Sequence, residues 1–399
     1  MRRSALFSVG RTPWSARVPL DPLFAAWAAL VLLPLFAFAQ PDIARQGDLW
    51  VRTFSGAAPA APRLRVNAHG PVTLEGGVSK NVSYQVKVGV KTPTAAEARR
   101  ILNRYAVRLA PQGDWLVLTA PGGPFLTAVS VKAPRLAAAA VSTSDGAVDV
   151  RGVDGALVVD SGGGDLFVDR VRGDCKLFTR GGDVRVGLVE GSIECASGAG
   201  RITVGTVRGE AVLTSEGGDI VATEVGGPVR AQTLAGGIHI AKAGGAVTAT
   251  TGGGRIMVDS ANGVVITRNL AGPVEVGAAA GVESESGAGG VRLANILGGM
   301  RVSTMMGSIL ANFLGGKPAD SFLASGDGDI TVLIPSNVGV TIRAESEMAD
   351  TLRRIVSDFP GIPVRRQGAQ IVADGPVNGG GPLLRISATQ GTIFIKRQP

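Results

Sequence analysis

From about Ser144 to Gly299 the chain carries a glycine at every ninth position. The series reads Gly146, Gly155, Gly164, Gly173, Gly182, Gly191, Gly200, Gly209, Gly218 and Gly227. It continues through Gly236, Gly245, Gly254, Gly263, Gly272, Gly281 and Gly290 to Gly299, 18 positions without a miss. Chance does not hold such a register, even in a chain with 58 glycines. A short fixed period marks a solenoid, in which each repeat buries its apolar face only against its neighbours.

Other columns recur every 18 residues, so the full unit is two nonapeptides. With the Gly146 column as place one, place three reads Val148, Leu166, Val184, Ile202, Ile220, Ile238, Ile256 and Val274. Places five and eight are apolar too, as are twelve and fourteen (Leu157/Val159, Cys175/Leu177, Ile193/Cys195). Polar residues stand between them, the period-two alternation of strands buried on one side. Place sixteen holds Thr143, Ser161, Thr179, Ser197, Ser215, Thr233, Thr251 and Asn269. Its parity points inward at the corner, where hydroxyls can bond turn amides that the ladder leaves unpaired. The glycines fall at the turns, where φ > 0 is expected to be required. Around Ala278–Val282 the inward columns slip by one residue, the mark of a single-residue deletion within a continuing solenoid. The fold expected is all-β: a parallel β-solenoid of about 18 residues per coil.

Outside the repeats the chain divides further. Arg2, Arg3, Arg11 and Arg17 precede an uncharged apolar run from Pro22 to Ala39 that ends Ala37-Phe38-Ala39. Residues 1–39 therefore read as a secretory signal peptide, with a retained anchor as the alternative. Residues 40–140 form a smaller β-rich (α+β) N-terminal module. Its expected strands are Leu49–Thr53, Arg63–Asn67, Val82–Val90, Trp115–Thr119 and Ala128–Lys132. A helix is expected at 95–107 behind the capping box Thr94-Ala-Ala-Glu97. The solenoid proper runs 141–335. Residues 336–399 are the C-terminal cap, an excursion with a short helix at 347–358 that returns to a last coil. A solenoid end exposes core and strand edges, which both modules would cover.

Charge divides unevenly within the overall +8. Residues 40–140 hold 13 Lys+Arg against 5 Asp+Glu, a net +8, whereas 141–315 hold 14 against 18, a net −4. The N-terminal module is thus the basic face, with Arg99, Arg100, Arg104 and Arg108 on or beside its helix. It also holds Tyr84, Tyr105, Trp50 and Trp115, while the repeats have no Trp or Tyr. That makes it the candidate binding surface, suited to an anionic envelope polymer, a lipid surface or another protein. Self-association through the flat coil faces is a further reading. Nucleic acid is not expected, since no aromatic–basic interleaving is present. After signal removal no apolar run long enough to span a membrane remains.

Chemistry-bearing residues are sparse, and no catalytic, cofactor or metal site is expected. His69 and His239 lie in different modules. Asp165, Asp183 and Asp219 follow turn glycines, as in calcium-binding nonapeptides. Those, however, need a residue between glycine and aspartate, and here the same column also holds Arg201 and Arg255. Cys175 and Cys195 point inward on adjacent coils, offset two residues along the strand. Their Cα atoms would be about 8 Å apart, too far for a disulfide, so two buried thiols are expected.

Ser215-Glu-Gly-Gly-Asp-Ile, Thr179-Arg-Gly-Gly-Asp-Val, Ser325-Gly-Asp-Gly-Asp-Ile-Thr-Val and Gly391-Thr-Ile-Phe-Ile carry a resemblance. Over roughly 140–399 the chain resembles the bacterial "putative adhesin" family of β-strand repeats. The resemblance implies an exported, envelope-associated protein of the periplasm, outer surface or medium, and supplies no catalytic residues. The function expected is a non-catalytic, adhesin-like interaction or structural protein. A polysaccharide-processing β-helix lyase or hydrolase is the alternative.

Overall fold

Each 18-residue unit folds as one coil of two short strands, and the coils stack in register. The computed structural model describes residues 43–315, 318–347 and 354–398. In one sheet Ile202 pairs with Ile220 and Ile220 with Ile238, and in the other Ile193 pairs with Ala211 and Ala211 with Val229. All these pairings are parallel, giving about 11 turns of the solenoid. The inward places are buried along the whole shaft, with Val150, Val168, Ile202, Leu213, Ile240 and Val258 at 0% exposure. A Val, Leu or Ile so buried contributes roughly 1.5–3 kcal/mol, which is why strict alternation fixes the register.

The corner between the two sheets explains both the hydroxyl and the glycine columns. Ser197 Oγ donates to the carbonyl of Gly182 one coil below (3.0 Å) and accepts from the amide of Gly200 (3.0 Å). Ser215 repeats this with Gly200 and Gly218, Thr233 with Gly218 and Gly236, and Thr251 with Gly236 and Gly254. Asn269 takes the place in the next coil, its amide donating to Gly254 O and Gly272 O. Past the shortened coil, where Ser286 makes no such bond, Thr304 and Ser325 donate to the carbonyls of Gly289 and Gly307. In the coils so bonded, one buried side chain thus pairs corner groups that would otherwise be left buried and unmatched.

The glycines are needed for proximity, and mostly not for a left-handed turn. Of the ten from Gly146 to Gly227, only Gly146 has φ in the left-handed region, at +93°. At Gly164, Gly182, Gly200 and Gly218 a Cβ would instead fall inside the van der Waals shell of the carbonyl of the glycine one coil below. The opposite corner, Gly155, Gly173, Gly191, Gly209 and Gly227, is packed in the same way. The expectation of φ > 0 is corrected at the other nine, where coil stacking and not turn handedness excludes the side chain. At Gly146, and further along at Gly272, Gly289, Gly307 and Gly328, φ is positive as expected.

The slip is a coil shortened by one residue. Val265 pairs with Val282 and Val274 with Val291, while the coils on either side keep the 18-residue step. The structural glycine column moves with it, to Gly289, Gly307, Gly328 and Gly391, each seated on the corner glycine below. Gly281, Gly290 and Gly299 keep the sequence period but leave that column. A Cβ on them would approach the neighbouring coil at only 3.2, 3.3 and 2.9 Å.

Both ends are interleaved. The strand Arg63–Ala68 lies between Trp115–Thr119 and Ala138–Thr143, and Val72–Glu75 lies between Leu126–Lys132 and Val148–Val153. At the far end Leu383–Ala388 lies between Ser321–Asp327 and Val340–Ser346, and Ile393–Arg397 between Ile330–Ile334 and Ile355–Ser357. The last coil in sequence is therefore not the last in space. Antiparallel strands then close each end. These are Leu49–Ala58, Val82–Val90 and Arg108–Gln112 on one side, and Gln370–Val377 with Val364–Gln367 on the other. Residues 43–399 form one compact unit with a continuous core, and the strands of 40–140 share both sheets with the repeats. The signal-peptide reading of 1–39 lies outside the described residues, as do residues 348–353 of the helix expected at 347–358. Of the rest of that segment, Ile355–Ser357 is a strand.

Candidate interaction surface

The N-terminal end is covered by the helix Ala95–Leu102, five residues shorter than expected. Thr94 Oγ1 accepts from the amide of Glu97 (3.3 Å), as the capping box requires. The helix stops at Asn103 because Tyr105 must turn inward. Tyr105 is 5% exposed and meets Phe54 at 5.5 Å and Phe125 edge-on at 5.0 Å. Burial pushes its phenol up to about 12. Ala98 and Leu102 belong to the continuous core, so this helix face seals the solenoid's open end. Arg52 holds the far end of the helix, its Nη1 donating to Asn103 Oδ1 at 2.7 Å.

Arg99, Arg100, Arg104 and Arg108 are all exposed, the first two on the helix, Arg104 just past it and Arg108 on the edge strand Arg108–Gln112. Among the described residues none of the four forms an ion pair. The aromatic part of the expected surface is largely drawn inward or stacked. Tyr105 is core, Tyr84 and both indoles are half-buried, and one of the chain's own arginines stands over each indole. Arg45 stands 5.7 Å from the Trp50 ring and Arg65 5.0 Å from that of Trp115, while Trp50 Nε1 donates to Thr92 O at 3.2 Å. Alternation alone does not reveal such cover, because the stacking partners come from different strands.

Along the shaft, the residues that invite a chemical reading have structural partners. Asp165 Oδ1 accepts the amide of Asp183, Asp183 Oδ1 that of Arg201, and Asp219 Oδ1 that of Gly237, each at 2.9 Å. The Gly-Gly-Asp turn is thus a carboxylate cap for the next coil's backbone. Outward charges pair between coils, as in Lys176–Glu194 (2.7 Å), Arg201–Asp219 (2.9 Å) and Lys242–Glu224 (2.8 Å). His239 Nε2 lies 3.0 Å from Asp259 Oδ2 on the outer surface, and His69 Nδ1 2.7 Å from Ser144 Oγ. Cys175 and Cys195 are free and buried; burial pushes the Cys175 thiol up to about 12 and raises that of Cys195 further. Among the described residues no group of three or more His, Cys, Asp or Glu is placed to hold a metal ion, and no helix is long and apolar enough to cross a membrane.

Among the described residues, the surface hollows include two. One of about 500 Å³ lies among loops at Ala60–Pro62, Gly77, Ser79, Pro134 and Arg135. The other, about 200 Å³, lies at the shortened coil beside Met257, Asp259, Glu275, Gly277 and Arg292.

The fold and surface define a two-sheet parallel β-solenoid with closed, interleaved ends. No family model matches the chain, and no curated protein matches it. Solved structures similar to it include a "putative cell adhesion protein" from Clostridium sporogenes, with 10% identity over 87% of this chain and 100% of that one and a TM-score of 0.16. A "putative adhesin" from Bacteroides fragilis shares 10% identity over 87% and 97%, with a TM-score of 0.20. Another from Parabacteroides merdae shares 12% over 71% and 95%, with a TM-score of 0.28. Likeness at this level carries no argument about what this chain binds.

Proposed function

We propose that the protein is an exported, non-catalytic β-solenoid with an adhesin-like role, whose shaft is a spacer and whose recognition surface is the basic N-terminal end. The observation that supports this is the division of labour among charges. Shaft charges are largely engaged between coils or with backbone amides, whereas Arg99, Arg100, Arg104 and Arg108 are exposed and unpaired among the described residues. The alternative, a polysaccharide-processing enzyme, needs an acid and a base converging in a cleft. Its best location is the hollow at Asp259 and Glu275, but His239 is already paired with Asp259 and the carboxylates along the shaft are scattered. The test has two arms. Fractionation with surface labelling should find the protein outside the cytoplasm. Protein with all four arginines changed to glutamate should lose retention on cell-envelope material while melting like wild type. Release of reducing ends or unsaturated uronates from polysaccharide by the wild type, abolished by Glu275→Gln, would favour the enzyme reading.

A further inference from the structure

We propose that the basic end is a seat for an anionic lipid bilayer, met end-on, so that the solenoid axis stands away from the membrane; this rests on the reading of that end as the recognition surface. The helix carries Ala98 and Leu102 into the core, and at about 100° per residue Arg100 falls on its opposite side with Arg99 on its flank, while Arg104 is exposed in the turn that follows. These cations therefore face solvent at the N-terminal end. Net charge changes from +8 over residues 40–140 to −4 over 141–315, so an anionic plane attracts this end and repels the shaft.

Each indole at this end is already stacked by one of the chain's own arginines, Arg45 or Arg65. The four exposed guanidinium groups offer the planar, bidentate donors that suit phosphate headgroups.

The test uses residues 43–399, which form a compact unit with both ends closed. Sedimentation is measured with phosphatidylcholine vesicles, with and without phosphatidylglycerol. R99E/R100E/R104E is compared with a charge-matched shaft variant, R230E/R255E/R301E. Wild type and shaft variant are expected to bind only the phosphatidylglycerol vesicles and to be released by salt. Each cation lost near an anionic surface weakens binding about five-fold, so the end variant is expected to bind about a hundred-fold more weakly at an unchanged melting temperature. Equal loss in both variants, or equal binding to neutral vesicles, would overturn the proposal. So would dextran sulfate bound as tightly as the vesicles, which would make the end a polymer site. Retention on envelope material that needs these arginines, without vesicle binding, would leave the recognition surface standing and remove the lipid.

Discussion

At the scale of single residues, adjacent glycines differ sharply in what they do. A Cβ at Gly182 would collide with the Gly164 carbonyl, whereas one at Gly181 would meet nothing within 4 Å, and neither residue has a left-handed φ. Gly182→Ala is therefore expected to destabilise by about 1–3 kcal/mol, the usual cost of overpacking, and Gly181→Ala to be nearly neutral. Thermal melting of the two variants checks this, and equal melting would contradict the stacking argument. Gly191→Val should behave like Gly182→Ala, since Gly191 sits on the backbone of Gly173. The cysteines allow a second measurement. With the Cys175 thiol held at about 12 by burial, thiolate is scarce at pH 8. Alkylation of Cys175 and Cys195 should be slow in the native protein and fast in denaturant; rapid native labelling of both would show that they are not core residues. Inward burial and free thiols were legible from the alternation alone. The reason for the glycines was not, because period shows where side chains are excluded without showing whether backbone angle or a neighbouring coil excludes them.

At the scale of elements, the strands Val82–Val90 and Trp115–Thr119 match the ranges read from β-branched alternation. Ala44–Gln46, Val72–Glu75 and Arg108–Gln112 were missed. The first has three exposed residues, the second is four residues pressed between glycine turns, and the third contains Pro111, so none carries enough alternation to stand out. Their existence depends on partners distant in sequence. The same holds for Leu383–Ala388, which is bonded along both edges, to Ser321–Asp327 and to Val340–Ser346. A strand bonded along one edge only would exchange more readily. Here the amides of Leu384–Ala388 should instead exchange with deuterium as slowly as those of mid-shaft strands such as Ile202–Val207. Deleting residues 383–399 should remove the whole far-end cap, seen as protease sensitivity back to Ser321. Fast exchange across 384–388 would argue against the interleaved end.

At the scale of the whole molecule, the sequence shows a change of composition near residue 140, but the structure carries both sheets and the core across it. Composition reports which residues are used, whereas continuity of a sheet lies in pairings between strands that composition cannot display. A fragment of residues 40–140 would leave Arg63–Ala68 and Val72–Glu75 without their partners Ala138–Thr143 and Val148–Val153. It should therefore lack a cooperative melt by circular dichroism, and a well-folded fragment would show that the N-terminal part is autonomous after all. The interleaved far end also bears on how the chain can be made. Coil-by-coil growth behind a ribosome or a translocation pore can proceed as far as Ile330–Ile334. The next coil in sequence, Val340–Ser346 with Ile355–Ser357, has no seat on that surface until Leu383–Arg397 has been inserted beneath it. A chain that stops short of Leu383 therefore leaves this edge open, to aggregation or to proteases, while one that includes Leu383–Arg397 fills the gap and seats the coil above it. In this way the order in which the coils can be laid down differs from their order in the chain.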